Sequence, residues 1–345
     1  MGTLQARLAA GASIPAHPLA LDADGRFDER AQTALTRYYA ASGVDGVAVG
    51  VHTTQFDLHE DRGLLSTVWE GAAETADRAG WDAVLVAGLV GDVRQAVEEA
   101  ELAAGLGYDA VLLCPWGMTE RTERTLLERA AAVGEVLPTI GFYLQDDVGG
   151  MRLGRSYWTA LLDQPSTAAV KAAPFDRYRT NDVARALAEH DRWNEVVLLT
   201  GNDDAIVHDL VTPTRVTVGG QQREVRIRGG LLGQWAVGAR SAARLRATAV
   251  AEADAGSVST STLASASDLV EVNAAVFDVL GGFAGCVAGV NEVLRQQGLL
   301  QSAHCLSPRE RVSPGQSALI AEVLAEFPDL LDQQFIAENR DRWLA

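Results

Sequence analysis

The sequence predicts a (β/α)8 barrel, in which eight parallel strands alternate with helices, followed by a helical C-terminal region. Eight short apolar runs recur at fairly regular spacing along the 345 residues, and each is followed by a stretch of helical character. Near-continuous apolar strands that alternate with amphipathic helices indicate buried parallel strands. The main alternative, an open doubly wound sheet, carries a glycine-rich phosphate loop, and neither G-x-G-x-x-G nor a P-loop occurs in this chain. Eight units without such a loop favour a closed barrel.

The eight predicted strands are defined by their apolar runs. They occupy residues 13–19, 45–51, 83–88, 109–114, 139–143, 168–171, 195–200 and 229–232. Helix boundaries fall between them: Asp28 precedes a helical stretch that closes at Gly43, and Asp92 precedes another. Aspartate is a favoured residue at helix N-termini and glycine at C-termini, so both stretches are predicted as helices.

Two regions depart from the strand and helix alternation. Two alternating runs flank Gly219-Gly220, which predicts a β-hairpin inserted at residues 214–228, before the last strand. From residue 240 to residue 345 the strand signal disappears and helical stretches follow. We therefore expect a barrel over residues 1–239 and a helical region over 240–345, packed on the barrel or on a partner subunit.

Composition argues against several classes of partner. The formal net charge of -17 and the pI near 4.7 do not fit a protein that binds a phosphate backbone. Cys114, Cys286 and Cys305 lie far apart with no C-x-x-C spacing, so neither disulfides nor a zinc site are predicted, and no histidine pair has metal-ligand spacing. No apolar run is long enough for a signal peptide or a membrane span. A cytoplasmic protein is expected.

Lysine usage in this chain is unusual. Lys171 is the only lysine, whereas the sequence contains 28 arginines. A guanidinium stays protonated in any protein environment, whereas a buried lysine can lose its proton and become a nucleophile. Lys171 lies in the apolar run AAVKAAP, so it is either a reactive amine or a chance survivor of a biased composition.

Several reactive side chains lie at predicted strand ends. Lys171 closes the sixth strand, Tyr143 closes the fifth, and Thr53 and Thr54 follow the second. The carboxyl ends of barrel strands face one mouth, where these groups could converge. A lysine amine attacks a carbonyl carbon to give an imine, a tyrosine hydroxyl can move protons, and threonine hydroxyls can hold a carboxylate.

Six stretches carry a family resemblance. They are LALDADGRFDERA, SGVDGVAVGVHTTQF, GYDAVLLCPW, PTIGFY, AAVKAA and LLTGNDDAI, within a region that runs from residue 14 to beyond residue 313. On these stretches the chain resembles the dihydrodipicolinate synthase and N-acetylneuraminate lyase group of class I, Schiff-base-forming aldolases.

The resemblance implies specific roles. Lys171 would form an imine with pyruvate or another 2-oxo acid, Tyr143 and Thr53 would shuttle protons, and Thr54 would help to hold the substrate carboxylate. The segments around Gly201 and Leu231 would complete the pocket wall. The resemblance further implies a homo-oligomer, either a dimer or a tetramer, and a reaction that needs no cofactor.

Three positions depart from the family pattern. Gln55-Phe56 stand where the family continues as Gly-Glu, Trp116-Gly117 stand where a tyrosine borrowed by a neighbouring subunit belongs, and residues 145–147 read Gln-Asp-Asp where the synthases bind a carboxylate through arginine. An acidic loop repels a second carboxylate. We therefore expect no true dihydrodipicolinate synthase, and an aldehyde that is neutral, such as an aromatic or sugar-like one, or cationic.

Other conspicuous residues have two interpretations each. His52 could face the mouth as a base or orient a substrate, or it could satisfy a loop hydrogen bond. Trp116 could stack on a substrate or serve only for packing. Asp203 and Asp204, after the seventh strand, are expected to cap a helix.

The leading hypothesis is therefore a Schiff-base aldolase or lyase that acts on a 2-oxo acid and an unidentified aldehyde, by aldol cleavage, addition or dehydration. The alternative from another functional class is a catalytically inactive barrel of the same family that binds a 2-oxo acid or has a regulatory role. An unrelated barrel enzyme is the third possibility, and it predicts no adduct on the lysine.

Overall fold

Eight parallel strands form the centre of the molecule, which is a computed structural model that describes residues 2–345, with side chains from residue 4 onward. In chain order the barrel strands are β1 Ser13–Pro15, β2 Gly46–Val49, β3 Val84–Leu89, β4 Ala110–Leu113, β5 Thr139–Leu144, β6 Thr167–Ala173, β7 Val197–Thr200 and β10 Gly230–Leu232. A separate antiparallel hairpin, β8 Thr214–Val218 and β9 Gln221–Val225, turns at Gly219-Gly220 before the last barrel strand.

The strands close into a barrel. Their order is β1-β10-β7-β6-β5-β4-β3-β2, and every pair in it is parallel. The two ends of this order meet through a parallel bridge between Ala16 and Ala48, beside which the His17 backbone N–H donates to the Ala48 carbonyl at 2.8 Å. The predicted (β/α)8 fold is confirmed, and each of the eight strands overlaps the segment predicted for it.

Helices follow the strands and surround them. Their bounds are α1 Gly2–Ala9, α2 Glu29–Ser42, α3 Arg62–Arg78, α4 Val93–Gly105, α5 Glu123–Gly134, α6 Arg155–Leu162, α7 Arg177–Glu189, α8 Ile206–Val211, α9 Ala239–Asp254, α10 Thr260–Val276, α11 Cys286–Gln296, α12 Gln316–Glu326 and α13 Gln333–Trp343. Asp28 caps α2 as expected by accepting from the Ala31 N–H at 3.0 Å. Asp92 precedes α4, but its carboxylate accepts from the N–H and hydroxyl of Thr119 instead of capping the helix.

Two apolar layers follow from the alternation of side chains along each strand. Ile140, Phe142 and Leu144 of β5 point into the barrel and belong to the inner cluster, whereas Tyr143 points outward into the cluster between strands and helices. Leu4 and Leu8 of α1 also belong to the inner cluster. Because both faces of the strands are buried, a polar side chain inside the barrel is conspicuous.

The C-terminal helices complete the ring and cover the barrel mouth. Helix α9 contacts both α8 and α2, so it lies in the helical ring around the strands. Residues at the end of α10 and along α11, among them Phe277, Cys286 and Val290, reach the carboxyl ends of the strands. The division of the chain at residue 240 stays a prediction.

All three cysteines are free. Within residues 2–345, no group of three or more His, Cys, Asp or Glu side chains could hold a metal ion. In the same part of the chain, no helix has both the length and the apolar character that crossing a bilayer requires.

Candidate active site

Lys171 lies inside the barrel near the carboxyl end of β6. The residue is 8 % exposed, and its Nζ lies 4.3 Å from the centroid of the ring of Phe142, which pairs with it on β5. Among the described residues, no carboxylate lies within 4 Å of Nζ and no group forms a hydrogen bond with it. The amine is therefore buried but unpaired, with an aromatic face as its near neighbour.

Gly201, just after β7, makes room for this lysine. A Cβ at Gly201 would lie 2.4 Å from Cε of Lys171 and 2.7 Å from Cβ of Ala173. The Gly201 N–H donates to the Ala172 carbonyl at 2.7 Å, which holds the two strands together at this point. Glycine is required here by close approach, so the predicted contribution of Gly201 to the pocket wall has a steric basis.

The protonation of Lys171 is coupled to that of Asp203. Burial lowers the pKa of Lys171 to about 8, although the charge of Asp203 opposes that shift. Burial likewise raises the pKa of Asp203 to about 7, against the opposing effects of its backbone hydrogen bond from Gln234 and of Lys171. Burial disfavours the charged form of each group, so the pKa values of both side chains lie near neutral pH.

Lys171 lines a small inner cavity. The cavity volume is about 60 Å³, and its polar lining comprises His52, Thr53, Gln145, Lys171 and Asp203. Pockets for drug-sized ligands span roughly 300–1,000 Å³, so this cavity suits only a small molecule. The Thr53 hydroxyl has no hydrogen-bond partner in the described part of the chain.

An outer chamber of about 450 Å³ adjoins the inner cavity. Five residues line both spaces: Gln145, Phe175, Asp203, Phe277 and Phe283. The chamber is also lined by the carboxylates of Asp146, Asp147, Asp176 and Asp204 and by one cation, that of Arg179. The site therefore has two parts, a small inner one at the lysine and a larger, acidic outer one.

The charges of the outer chamber are only partly compensated. The Arg179 guanidinium lies 3.1 Å from an oxygen of Asp146 and 3.5 Å from an oxygen of Asp176. Asp147 and Asp204 form no ion pair with any described residue. Because the carboxylates outnumber the cation, the chamber disfavours anions.

Backbone strain is concentrated at the boundary between the two spaces. Phe175 and Phe283 adopt left-handed φ values of 48° and 64°, and their ring centroids lie 6.1 Å apart. A non-glycine residue in this region costs of order 1–3 kcal/mol and persists mainly where function requires it. The Phe175 N–H donates to the Asn202 side chain at 3.1 Å, which helps to hold the strained loop.

Four of the predicted site residues come together in the inner cavity. Lys171, Thr53, Gly201 and His52 all line it. Burial and the charge of Lys171 lower the pKa of His52 to about 4, so the imidazole is neutral at physiological pH. The His52 imidazole forms no hydrogen bond with any described residue, which disfavours the interpretation of this side chain as a loop anchor.

Tyr143 does not join this group, which corrects the expectation from the sequence. Its side chain lies between β5 and the helices, with its ring centroid 5.1 Å from that of Trp158, and its hydroxyl accepts from the Leu153 N–H at 3.4 Å. Strand alternation sends Phe142 into the barrel and Tyr143 outward. The pairing of Phe142 with Lys171 in the sheet marks Phe142 as the residue of β5 that faces the lysine.

Three other predicted site residues also lie outside the cavity. The Thr54 hydroxyl accepts from the Gly50 N–H at 2.9 Å and donates to the His17 carbonyl at 2.6 Å, so it stabilises the loop after β2. Leu231 is fully buried in the inner core. Trp116 is 40 % exposed and stacks on Phe56, with ring centroids 5.2 Å apart. The packing interpretation fits Trp116.

Asp203 is a site residue that the sequence analysis missed. Helix α8 begins at Ile206, and Asp203 does not cap it. Its Oδ1 instead accepts from the Gln234 N–H at 2.9 Å, and its side chain lines both cavities. The sequence signal was present, because Asp203 follows the end of a barrel strand, where reactive groups are found.

The outward position of Tyr143 gives a direct prediction. Tyr143→Phe removes a hydroxyl that does not reach the cavity, so adduct formation on Lys171 is expected to change less than twofold. The lost hydrogen bond to Leu153 is expected to lower the free energy of unfolding by about 1 kcal/mol. Reductive trapping rates and urea denaturation measure both effects, and a hundredfold slower trapping would show that this hydroxyl acts at the lysine.

Solved structures provide an independent comparison. Dihydrodipicolinate synthase from Aquifex aeolicus aligns with a TM-score of 0.69 and 19 % identity over 93 % of this chain and 99 % of that one. N-acetylneuraminate lyase from Fusobacterium nucleatum aligns with a TM-score of 0.69 and 17 % sequence identity, over 92 % of this chain and 99 % of that one. A prophage protein of the dihydrodipicolinic acid synthase family from E. coli K12 was solved in complex with pyruvate. It aligns with a TM-score of 0.70 and 17 % sequence identity, over 92 % of this chain and 98 % of that one.

This chain shares the fold of these enzymes. The alignment covers nearly the whole of each relative, including the helices that follow the barrel, whereas the sequence identities are all below 20 %. No protein-family model matches the chain, and no curated protein matches it. Lys171 lies near the carboxyl end of its strand, on the face at which (β/α)8 barrel enzymes carry their active sites.

Proposed function

We propose that the protein is a Schiff-base-forming aldolase or lyase in which Lys171 forms an imine with pyruvate or another 2-oxo acid. The observation that carries this proposal is the unpaired amine of Lys171, a residue that is only 8 % exposed and lines a small cavity at the carboxyl ends of barrel strands. Burial favours the neutral amine, which is the form that attacks a carbonyl carbon. The resulting protonated imine accepts the electron pair of an adjacent C–C bond. The proposed chemistry needs no cofactor.

The inner cavity supports a small 2-oxo acid as the imine partner. A volume of about 60 Å³ excludes a large substrate from the space next to Lys171. The free Thr53 hydroxyl can donate to the carboxylate of the acid, and the neutral His52 imidazole can orient it. The prophage protein with the same fold was solved in complex with pyruvate, which is why pyruvate is the first acid to test.

The outer chamber favours an aldehyde without negative charge. Asp147 and Asp204 lack ion-pair partners among the described residues, and Arg179 is already engaged by Asp146 and Asp176. An aldehyde with a second carboxylate, as a dihydrodipicolinate synthase requires, would be repelled. Neutral aldehydes, aromatic or sugar-like, and cationic aldehydes are therefore the proposed co-substrates.

A second candidate function rests on Phe142. The inward position next to Lys171 on β5 carries a phenyl ring, so no hydroxyl is available there to move a proton. This favours a barrel that binds a 2-oxo acid through Lys171 without turnover, in a binding or regulatory role. Under either function we propose a cytoplasmic homo-oligomer, and the family resemblance supports the oligomer.

Pyruvate release separates the two candidates. A panel of 4-hydroxy-2-oxo acids with neutral, cationic and anionic ends is incubated with the protein, and pyruvate is measured with lactate dehydrogenase. The lyase proposal predicts release from neutral or cationic members, little from anionic ones, and none with Lys171→Arg, which keeps the charge but cannot form an imine. Absence of release from every member would favour the binding role.

A further inference from the structure

Carbon–carbon bond formation at an imine requires a group that moves a proton. A proton must leave C3 of the 2-oxo acid, and a proton must reach the aldehyde oxygen when the new bond forms. Phe142 has no such proton, and the Tyr143 hydroxyl lies outside the barrel. Another side chain of the cavity must therefore serve if the proposed function holds.

The two-part shape of the site selects among the candidates. If the 2-oxo acid occupies the inner cavity and the aldehyde enters from the outer chamber, the proton carrier must reach both spaces. His52, Thr53 and Cys286 line only the inner cavity. Among the titratable groups described, Asp203 alone lines both spaces. Burial raises the pKa of the Cys286 thiol, which makes it a poor proton donor.

Asp203 is also held in position for this task. Its Oδ1 accepts from the Gln234 N–H at 2.9 Å, and its carbonyl accepts from the Asn273 side chain at 2.7 Å. Oδ2 has no hydrogen-bond partner among the described residues. Because Asp203 and Lys171 share the cavity without an ion pair within 4 Å, the carbon atoms of a bound acid can lie between them.

We propose that Asp203 is the catalytic acid and base of the carbon–carbon step, an inference that rests on the proposed function. The Asp203 carboxylate takes the proton from C3 of the imine, and the C–H electron pair forms the C2–C3 double bond while the C=N pair moves to nitrogen. C3 of this enamine then attacks the aldehyde carbon. The aldehyde C=O pair moves to oxygen, which takes the proton from Asp203. Water hydrolyses the product imine, and cleavage follows the same steps in reverse.

The pH dependence of this step has a defined sign. The base is the carboxylate, so the rate of proton removal rises as pH increases through the pKa of Asp203, near 7. The Lys171 charge opposes protonation of Asp203, and the Asp204 charge favours it. Other titratable or charged groups face the same two cavities: His52 and Cys286 inside, and Asp146, Asp147, Asp176 and Arg179 outside.

Hydrogen–deuterium exchange tests the proposal without an aldehyde. The protein is incubated with pyruvate in D2O, and loss of the methyl protons is followed by NMR, while borohydride trapping in parallel reports the imine on Lys171. The Asp203→Asn variant keeps an oxygen that can accept from the Gln234 N–H. In this variant the methyl protons of pyruvate are expected to exchange at least 100-fold more slowly, and the rise in rate near pH 7 is expected to be lost. Asp77→Asn, on the exposed face of α3, is the charge-matched control.

Trapping separates proton transfer from simple electrostatics. The Asp203 charge raises the pKa of Lys171, so Asp203→Asn is expected to trap pyruvate at least as readily at neutral pH while exchange fails. In Asp203→Ala, added formate is expected to restore part of the exchange, a rescue that no positional role predicts. Exchange within threefold of wild type in Asp203→Asn, or loss of the adduct in a folded variant, would overturn the inference. No adduct in the wild type would instead refute the proposed function itself.

Discussion

Replacing Lys171 by methionine is expected to stabilise the fold while abolishing imine formation. Burial lowers the pKa of Lys171 from 10.5 to about 8, and one pKa unit corresponds to 1.36 kcal/mol, so the buried charge costs about 3 kcal/mol. The unfolded state binds the proton more tightly, so the cost is complete below pH 8 and disappears as pH rises through 8 toward 10.5. Methionine fills a similar volume without a charge.

Urea denaturation followed by tryptophan fluorescence measures this difference. The free energy of unfolding of the Lys171→Met protein is expected to exceed that of the wild type by about 3 kcal/mol at pH 6. Most of that difference is expected to disappear by pH 10. Arg94→Met is the control, because that side chain is 86 % exposed and its removal leaves the core unchanged. A Lys171→Met protein less stable than the wild type at pH 6 would show that the lysine is held by favourable contacts.

Gly201→Ala is expected to impair imine formation strongly with a moderate loss of stability. The added methyl group would lie 2.4 Å from Cε of Lys171 and 2.7 Å from Cβ of Ala173, so the lysine must move from its position. Overpacking of this kind costs typically 1–3 kcal/mol. Because a displacement of about 1 Å can cost 100-fold in rate, trapping of pyruvate is expected to slow by at least that factor.

The matched control is Gly71→Ala in the middle of α3. A Cβ at Gly71 meets no atom within 4 Å, so this change is expected to raise the free energy of unfolding by about 0.5–1 kcal/mol and to leave trapping unchanged. Equal trapping rates for Gly201→Ala and Gly71→Ala would show that the lysine does not depend on the space at Gly201.

Most of the fold could be predicted because its signals are local. Buried parallel strands are apolar along their whole length, so each strand is visible in a short segment, and Asp28 and Gly43 mark the ends of α2 in the sequence itself. Helix α1, whose Leu4 and Leu8 close the inner core, was not predicted. Its eight residues are too few for a clear periodic pattern.

The site was predicted only in part because the direction of a side chain depends on register. Lys171 is recognisable by its rarity and its apolar surroundings, whereas a shift of one residue on β5 exchanges Phe142 with Tyr143. The position of Asp203 after the seventh strand suggested a helix cap, and only the fold shows that this residue lines two cavities. Likewise, Thr53 and Thr54 are indistinguishable in sequence but face different surroundings.

The central claim is that Lys171 acts as a nucleophile toward a 2-oxo acid, and one lysine in the chain makes the test direct. The protein is incubated with pyruvate and borohydride, and the product is examined by intact mass and peptide mapping. We predict a single reduced adduct on the peptide that contains Lys171, and none there in Lys171→Arg. An unmodified Lys171 after incubation with pyruvate and a panel of other 2-oxo acids, with label confined to the N-terminal amine, would contradict the claim.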